Sequence, residues 1–258
     1  EGMTVVLVDV DGEKVAVARD VLAGRGIEVA AMEADVADRE QMMRLARRVD
    51  DEIGPVWLLV NNAGVFVSAP FVNSTAAQWE FVLGVNLWGV VHGLHAFLPG
   101  MVRRNRGFIV NTSSVDGLVT VQNTSSYVAA KHAVSALTET LFRELQDAGS
   151  DVGVALLCPG AVVTDILNSA RHWPDRLGPG PDVTTRQYPA LDELMQPEEV
   201  AAKVFEAINA RRFWILTHPE QYAPAMRARM EEAIAGAWPS DASVDPNFRR
   251  STGRVPGG

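Results

Sequence analysis

Tyr127 and Lys131 stand four residues apart in the stretch SSYVAAKHAV. On a helix that spacing puts both side chains on one face. A free tyrosine titrates near about pH 10, and a neighbouring ammonium favours its phenolate, so such a pair can move a proton nearer neutral pH. A Tyr-x-x-x-Lys pair alone fits a structural or surface role, so it needs context. Ser114 supplies some, upstream at the end of the run GFIVNTSS. A hydroxyl there can hydrogen-bond a substrate oxygen while the tyrosine moves the proton. The run VWLLVNNAG also ends in small residues, whose backbone a ligand can approach closely. Asn86 interrupts an apolar helical stretch, GVNLWG, where it either satisfies a helix kink or belongs to the site.

Alternating elements must position these residues. Strands near 4–9 and 27–32 are each followed by a helix, near 12–25 and 38–53. A third strand ends in NNAG and precedes a long helix near 76–104. GFIVNTSS, a helix over 125–148 and DVGVALLCPG follow. Residues 165–195 lack periodicity, carry several Pro and Gly, and read as mobile. A helix near 197–210, a strand at 212–216 and a helix near 219–236 complete the pattern. Strands alternating with helices predict a parallel sheet covered on both faces, with ligands at the carboxyl edge. One domain is expected over 1–236, and a flexible tail rich in Pro, Gly, Ser and Arg over 237–258.

Asp9 closes the first strand, VVLVD. In dinucleotide-binding folds an acid at the end of the second strand bonds the adenosine ribose, about 20 residues after a glycine-rich phosphate loop. No such loop precedes Asp9 in this sequence.

The 258 residues carry 23 basic and 32 acidic side chains, which argues against nucleic acid or an anionic membrane as the main partner. The single cysteine, Cys158, lies in the apolar run VGVALLC and reads as a buried strand residue; one cysteine suits a reducing cytoplasm. The sequence holds no run of 18 consecutive apolar residues. His92 and His95 lack the companions of a metal site, and His172 reads as a solvated loop residue. Ser114 lacks the Gly-x-Ser-x-Gly elbow of a hydrolase nucleophile.

NNAG, Asn86, Ser114, Tyr127 with Lys131, and PGAVVT at 159–164 occur in the order and spacing of one family. The chain resembles the classical short-chain dehydrogenases/reductases over roughly residues 2–216. The resemblance implies a Rossmann-type, doubly wound parallel sheet in three α/β/α layers. It implies that Tyr127 is the catalytic acid/base, that Lys131 lowers its pKa and bonds the nicotinamide ribose, and that Ser114 holds the substrate oxygen. Asn86 would bend its helix and support a water linking Lys131 to solvent. Asp35 and Val36 would flank the adenine, and Asn62, Ala63 and Gly64 would line the cofactor. Pro159, Gly160, Val162 and Thr164 would bound the nicotinamide, and Asp9 would bond the adenosine ribose. The charge of Asp9, with the neutral Val10 beside it, favours NAD over NADP.

The family's glycine-rich turn, its first strand and the helix after it have no counterpart here, so an N-terminally truncated fold is expected. The substrate expected is a small or medium apolar alcohol or ketone, walled by Val115, Leu118, Val119, Leu167, Trp173, Tyr188 and Leu191. A non-catalytic dinucleotide-binding module or an inactive fragment is the alternative. The resemblance also implies a homodimer or homotetramer.

Overall fold

The computed structural model describes residues 2–181 and 194–248. Four strands lie side by side and parallel in the order β3 (Leu58–Asn61), β4 (Phe108–Thr112), β5 (Gly153–Cys158) and β6 (Trp214–Leu216). The alternation of side chains along a strand sorts β4 and β5 onto two faces. Ile109, Val154, Leu156 and Cys158 pack with Val90 and Leu94 of α4 (Gly89–Arg104) and Val134 and Leu141 of α5 (Ser125–Asp147). Phe108, Val110, Ala155 and Leu157 pack with Val204, Ala207 and Ile208 of α6 (Pro197–Asn209). Helices on both faces of a parallel sheet make this a Rossmann-like α/β fold.

β1 (Val5–Asp9) and β2 (Val29–Glu33), joined by α1 (Gly12–Ala23), pair in parallel as a separate two-stranded sheet. Among the described residues β1 pairs only with β2, and β3 only with β4. Val60 of β3 is therefore 44% exposed, whereas Val110 beside it on β4 is fully buried. One apolar cluster ties the smaller sheet to α4. In it Val6 and Val8 of β1 meet Met42, Leu45 and Val49 of α2 (Arg39–Glu52), Val56, and Phe97 of α4.

The helix expected over 76–104 is helical throughout but not uniform. α3 (Ala76–Leu83), started by a Thr75–Gln78 capping box, passes into a π-helical turn, Gly84–Trp88, and then into α4. By length and composition this run could cross a bilayer, and 44% of its most apolar window is buried inside the fold.

Two further stretches carry local structure over their described residues. Ile166–His172 and Asp175–Leu177 are 3-10 segments, held in part by Ser169, whose hydroxyl donates to the Phe66 carbonyl at 3.2 Å and accepts from its N–H at 2.7 Å. Composition also pointed to a loose tail after 236. Over the described residues it returns along α7 (Pro219–Ala235), with Ser243 and Asp245 buried. Tyr188 and Leu191 lie outside the described residues.

Candidate active site

β4 and β5 end beside the first turns of α5, and this junction gathers most of the residues singled out above. Tyr127 is buried, its ring edge-on to Phe66 with centroids 5.1 Å apart. One helical turn on, Lys131 places Nζ 5.7 Å from the Tyr127 ring centroid. Lys131 is buried and donates to the Thr112 carbonyl at 2.9 Å. Loss of water lowers its pKa from 10.5 to about 8. A Cys158 thiolate would favour the ammonium, but burial pushes that thiol up to about 12, so it is neutral at pH 7. An ammonium has three N–H groups, so the bond to Thr112 leaves Lys131 able to donate to a ligand hydroxyl.

Gly64 sits against this lysine. A Cβ there would lie 3.8 Å from Lys131 Nζ and 3.4 Å from Asn86 Oδ1. Asn86, fully buried in the π-helical turn, uses its amide as a two-point clamp. Oδ1 accepts from the Val65 N–H, and Nδ2 donates to the Val65 carbonyl, both at 2.8 Å. The amide, placed in the π-helical turn, thus fixes the loop that follows β3.

Ser114 begins the 3-10 segment Val115–Gly117. Its Oγ accepts from the Asp116 N–H at 3.1 Å, which leaves the hydroxyl proton available to a substrate oxygen. The neighbouring Val115 N–H donates to the Pro159 carbonyl at 2.9 Å, tying Ser114 to the Pro159–Gly160 turn. Gly160 is held in turn by the Thr217 hydroxyl at 2.8 Å. Val162 pairs with Met195 in an isolated bridge, and Thr164 is exposed.

Several supporting residues escaped sequence reasoning. Asn61 donates to Asn111 Oδ1 at 2.8 Å, and Asn111 donates to Thr138 at 3.0 Å, a polar rung across β3, β4 and α5. Thr112 donates to Asn62 Oδ1 at 3.1 Å. Ser113 donates to the Lys131 carbonyl at 2.8 Å, pinning this turn of α5 to the end of β4. Phe66 was also missed. The alternation of each strand could have pointed to Asn111, but its partners depend on register.

The adenosine-side candidates stand apart, at the ends of the smaller sheet. Asp9 is exposed, and its carboxylate accepts from the Asp11 N–H at 2.9 Å. Asp35 accepts from the Ala37 N–H at 2.9 Å. Val36 packs against Gly89, where a Cβ would lie 2.8 Å from its Cγ2, and its carbonyl meets His92 Nδ1 at 2.9 Å. An exposed ion pair, Lys14 to Asp165 at 3.7 Å, spans from α1 to the chain after β5. Of the expected substrate wall, Val115 and Val119 are buried, while Leu167 and Trp173 pack beside Phe66 and Tyr127. Among the described residues no histidine, cysteine or acid cluster could hold a metal.

The profile of the short-chain dehydrogenases matches residues 1–175. A 1-deoxy-11-beta-hydroxypentalenate dehydrogenase of Streptomyces exfoliatus is 30% identical over 240 residues, covering 92% of this chain and 80% of that protein. A short-chain dehydrogenase/reductase of Burkholderia phymatum, solved in complex with NAD, superposes with a TM-score of 0.83 at 38% identity, covering 91% of this chain and 86% of that one. A gluconate 5-dehydrogenase of Burkholderia cenocepacia, solved with NADP and tartrate, gives a TM-score of 0.59 at 26% identity, covering 67% and 68%. The chain belongs to the short-chain dehydrogenase family, oxidoreductases on a dinucleotide-binding fold.

Proposed function

We propose that the protein moves a hydride between NAD(H) and a small to medium apolar alcohol or ketone, with Tyr127 as acid/base. The observation that carries this reading is the buried Tyr127–Lys131 pair at the carboxyl edge of the sheet, where Lys131 keeps unused N–H groups. Tyr127 would exchange the proton of the substrate oxygen at its Oη. Lys131 would favour the phenolate while donating to the nicotinamide ribose, and Ser114 Oγ would hold the substrate oxygen. When bound, the nicotinamide supplies or accepts the hydride.

The residues present fit such a cofactor at two places. Gly64 leaves room beside Lys131 that a Cβ would take, and Asn62 and Ala63 next to it are exposed. At the other sheet Asp9 is exposed at the strand end, with Val10 bearing no positive charge. A 2′-phosphate would meet the Asp9 carboxylate there, so NAD is favoured. The pyrophosphate normally rests on a glycine-rich turn leading into a helix. Among the described residues β1 pairs only with β2 and β3 only with β4, which leaves one strand edge free on each.

Titration with NADH and NADPH, followed by nicotinamide fluorescence, tests the cofactor reading. NADH should bind at least about tenfold tighter than NADPH, and Asp9→Ser with Val10→Arg should reverse the order. Equal binding of the two by the unaltered protein would contradict the role of Asp9. Consumption of NADH with a panel of apolar ketones then tests the reaction.

A further inference from the structure

We infer that α7 and the segment after it position the wall of the substrate site, with Arg229 and the backbone of Asp245 making the decisive ties. The inference rests on the reading of Ser114 and Tyr127 as the reacting pair. Between those two residues the chain has one 3-10 segment, Val115–Gly117, and then the connection 118–124. Such a connection shifts readily unless its backbone is tied from outside. Arg229 Nη1 donates to the Leu118 carbonyl at 3.2 Å. Thr120 pairs with Val244 in a parallel bridge, and the Asp245 N–H donates to the Thr120 carbonyl at 3.3 Å. At the Tyr127 end, the Ala69 N–H and the Ser68 hydroxyl both reach the Asn123 carbonyl, at 2.8 and 3.1 Å.

The segment 240–247 is itself fastened along α7. The Ser240 hydroxyl donates to Glu232 near the end of the helix. Asn247 donates to the Tyr222 hydroxyl at 2.6 Å and accepts from Gln221 at 2.8 Å, both in the first turn. The segment therefore runs back along the whole helix toward the catalytic edge. There Tyr222, 1% exposed, abuts Gly160, where a Cβ would lie 2.9 Å from its ring. Gly160 follows Pro159, whose carbonyl holds Val115 beside Ser114. One unit thus touches the wall near Ser114, at Leu118 and at Thr120. A displacement of about 1 Å at such a wall can change turnover by about 100-fold.

The test compares the full chain with a chain ending at Pro239 and with Arg229→Met, Arg229→Lys and Asn247→Ala. The readouts are hydrogen exchange of peptides spanning 117–124, NADH affinity, and the ketone KM and kcat. In Arg229→Met and the shortened chain, exchange over 117–124 should rise and the ketone KM should increase about tenfold, with NADH affinity within about twofold. Arg229→Lys should recover most of the loss. The point variants carry the test if the shortened chain does not fold. Folded variants with unchanged exchange over 117–124 would overturn the inference. So would a parallel loss of NADH affinity, ketone KM and thermal stability. Exchange is read without turnover. An inactive unaltered chain would therefore count against the Ser114–Tyr127 reading, and the exchange data would still decide the positioning.

Discussion

Lys131 holds its charge where a protein interior least favours one, and this has a measurable consequence for stability. Its folded pKa of about 8 lies below its ordinary 10.5. Below pH 8 the lysine is protonated in both folded and unfolded chains, and the full burial penalty is present. Between 8 and 10.5 the unfolded chain binds more protons, so stability rises with pH through that window. Lys131→Met should therefore be more stable than the unaltered protein at pH 7, by up to a few kcal/mol. The gain should shrink toward zero as pH climbs past 10.5. Denaturant unfolding of the pair across that range measures it, and a pH-independent difference would contradict the penalty. At this scale the sequence was highly legible. Tyr127, Lys131, Ser114 and Asn86 sit in short contiguous motifs whose spacing already implies shared faces and strand ends. Phe66 and the Asn61–Asn111–Thr138 rung were not legible, because each depends on pairing between residues far apart in the chain.

Elements carry these residues at fixed distances, and close backbone approaches are part of how. α4 crosses β3 at Gly93, where a Cβ would collide with the Asn61 side chain. Gly93→Ala would push Asn61 away from Asn111 and disturb the polar rung behind the site. Overpacking of this kind costs about 1–3 kcal/mol, or roughly 2–4 °C of Tm per kcal/mol for a chain of this size. A calorimetric Tm equal to that of the unaltered protein would show that α4 has slack at this crossing. The strands and main helices followed from apolar runs and helical periodicity. The π-helical turn and the 3-10 segments did not, because their hydrogen-bond shifts leave the apolar pattern almost unchanged. The contacts of residues 240–247 were not legible for a related reason. Their Ser, Asp and Asn side chains cap turns and bond α7, whereas composition alone reads them as solvated.

At the scale of the whole molecule, two features bear on assembly. The sheet falls into two parts with open edges at β1 and β3. The paired long helices also present apolar surface outward. Trp88, Val102 and Phe142 are 52%, 44% and 36% exposed on the single chain. We expect a two-fold homodimer or homotetramer that covers this surface. Sedimentation equilibrium should give a mass of two or four chains, and a monomer at micromolar concentration would contradict it. Central to the whole account is that Tyr127, held over Lys131, exchanges the substrate's proton. The most direct measurement is NADH-dependent ketone turnover by Tyr127→Phe, with NADH affinity measured on the same sample. Turnover should fall by at least about 100-fold while NADH affinity stays within about twofold. Turnover that survives the loss of the phenol would contradict that role of Tyr127.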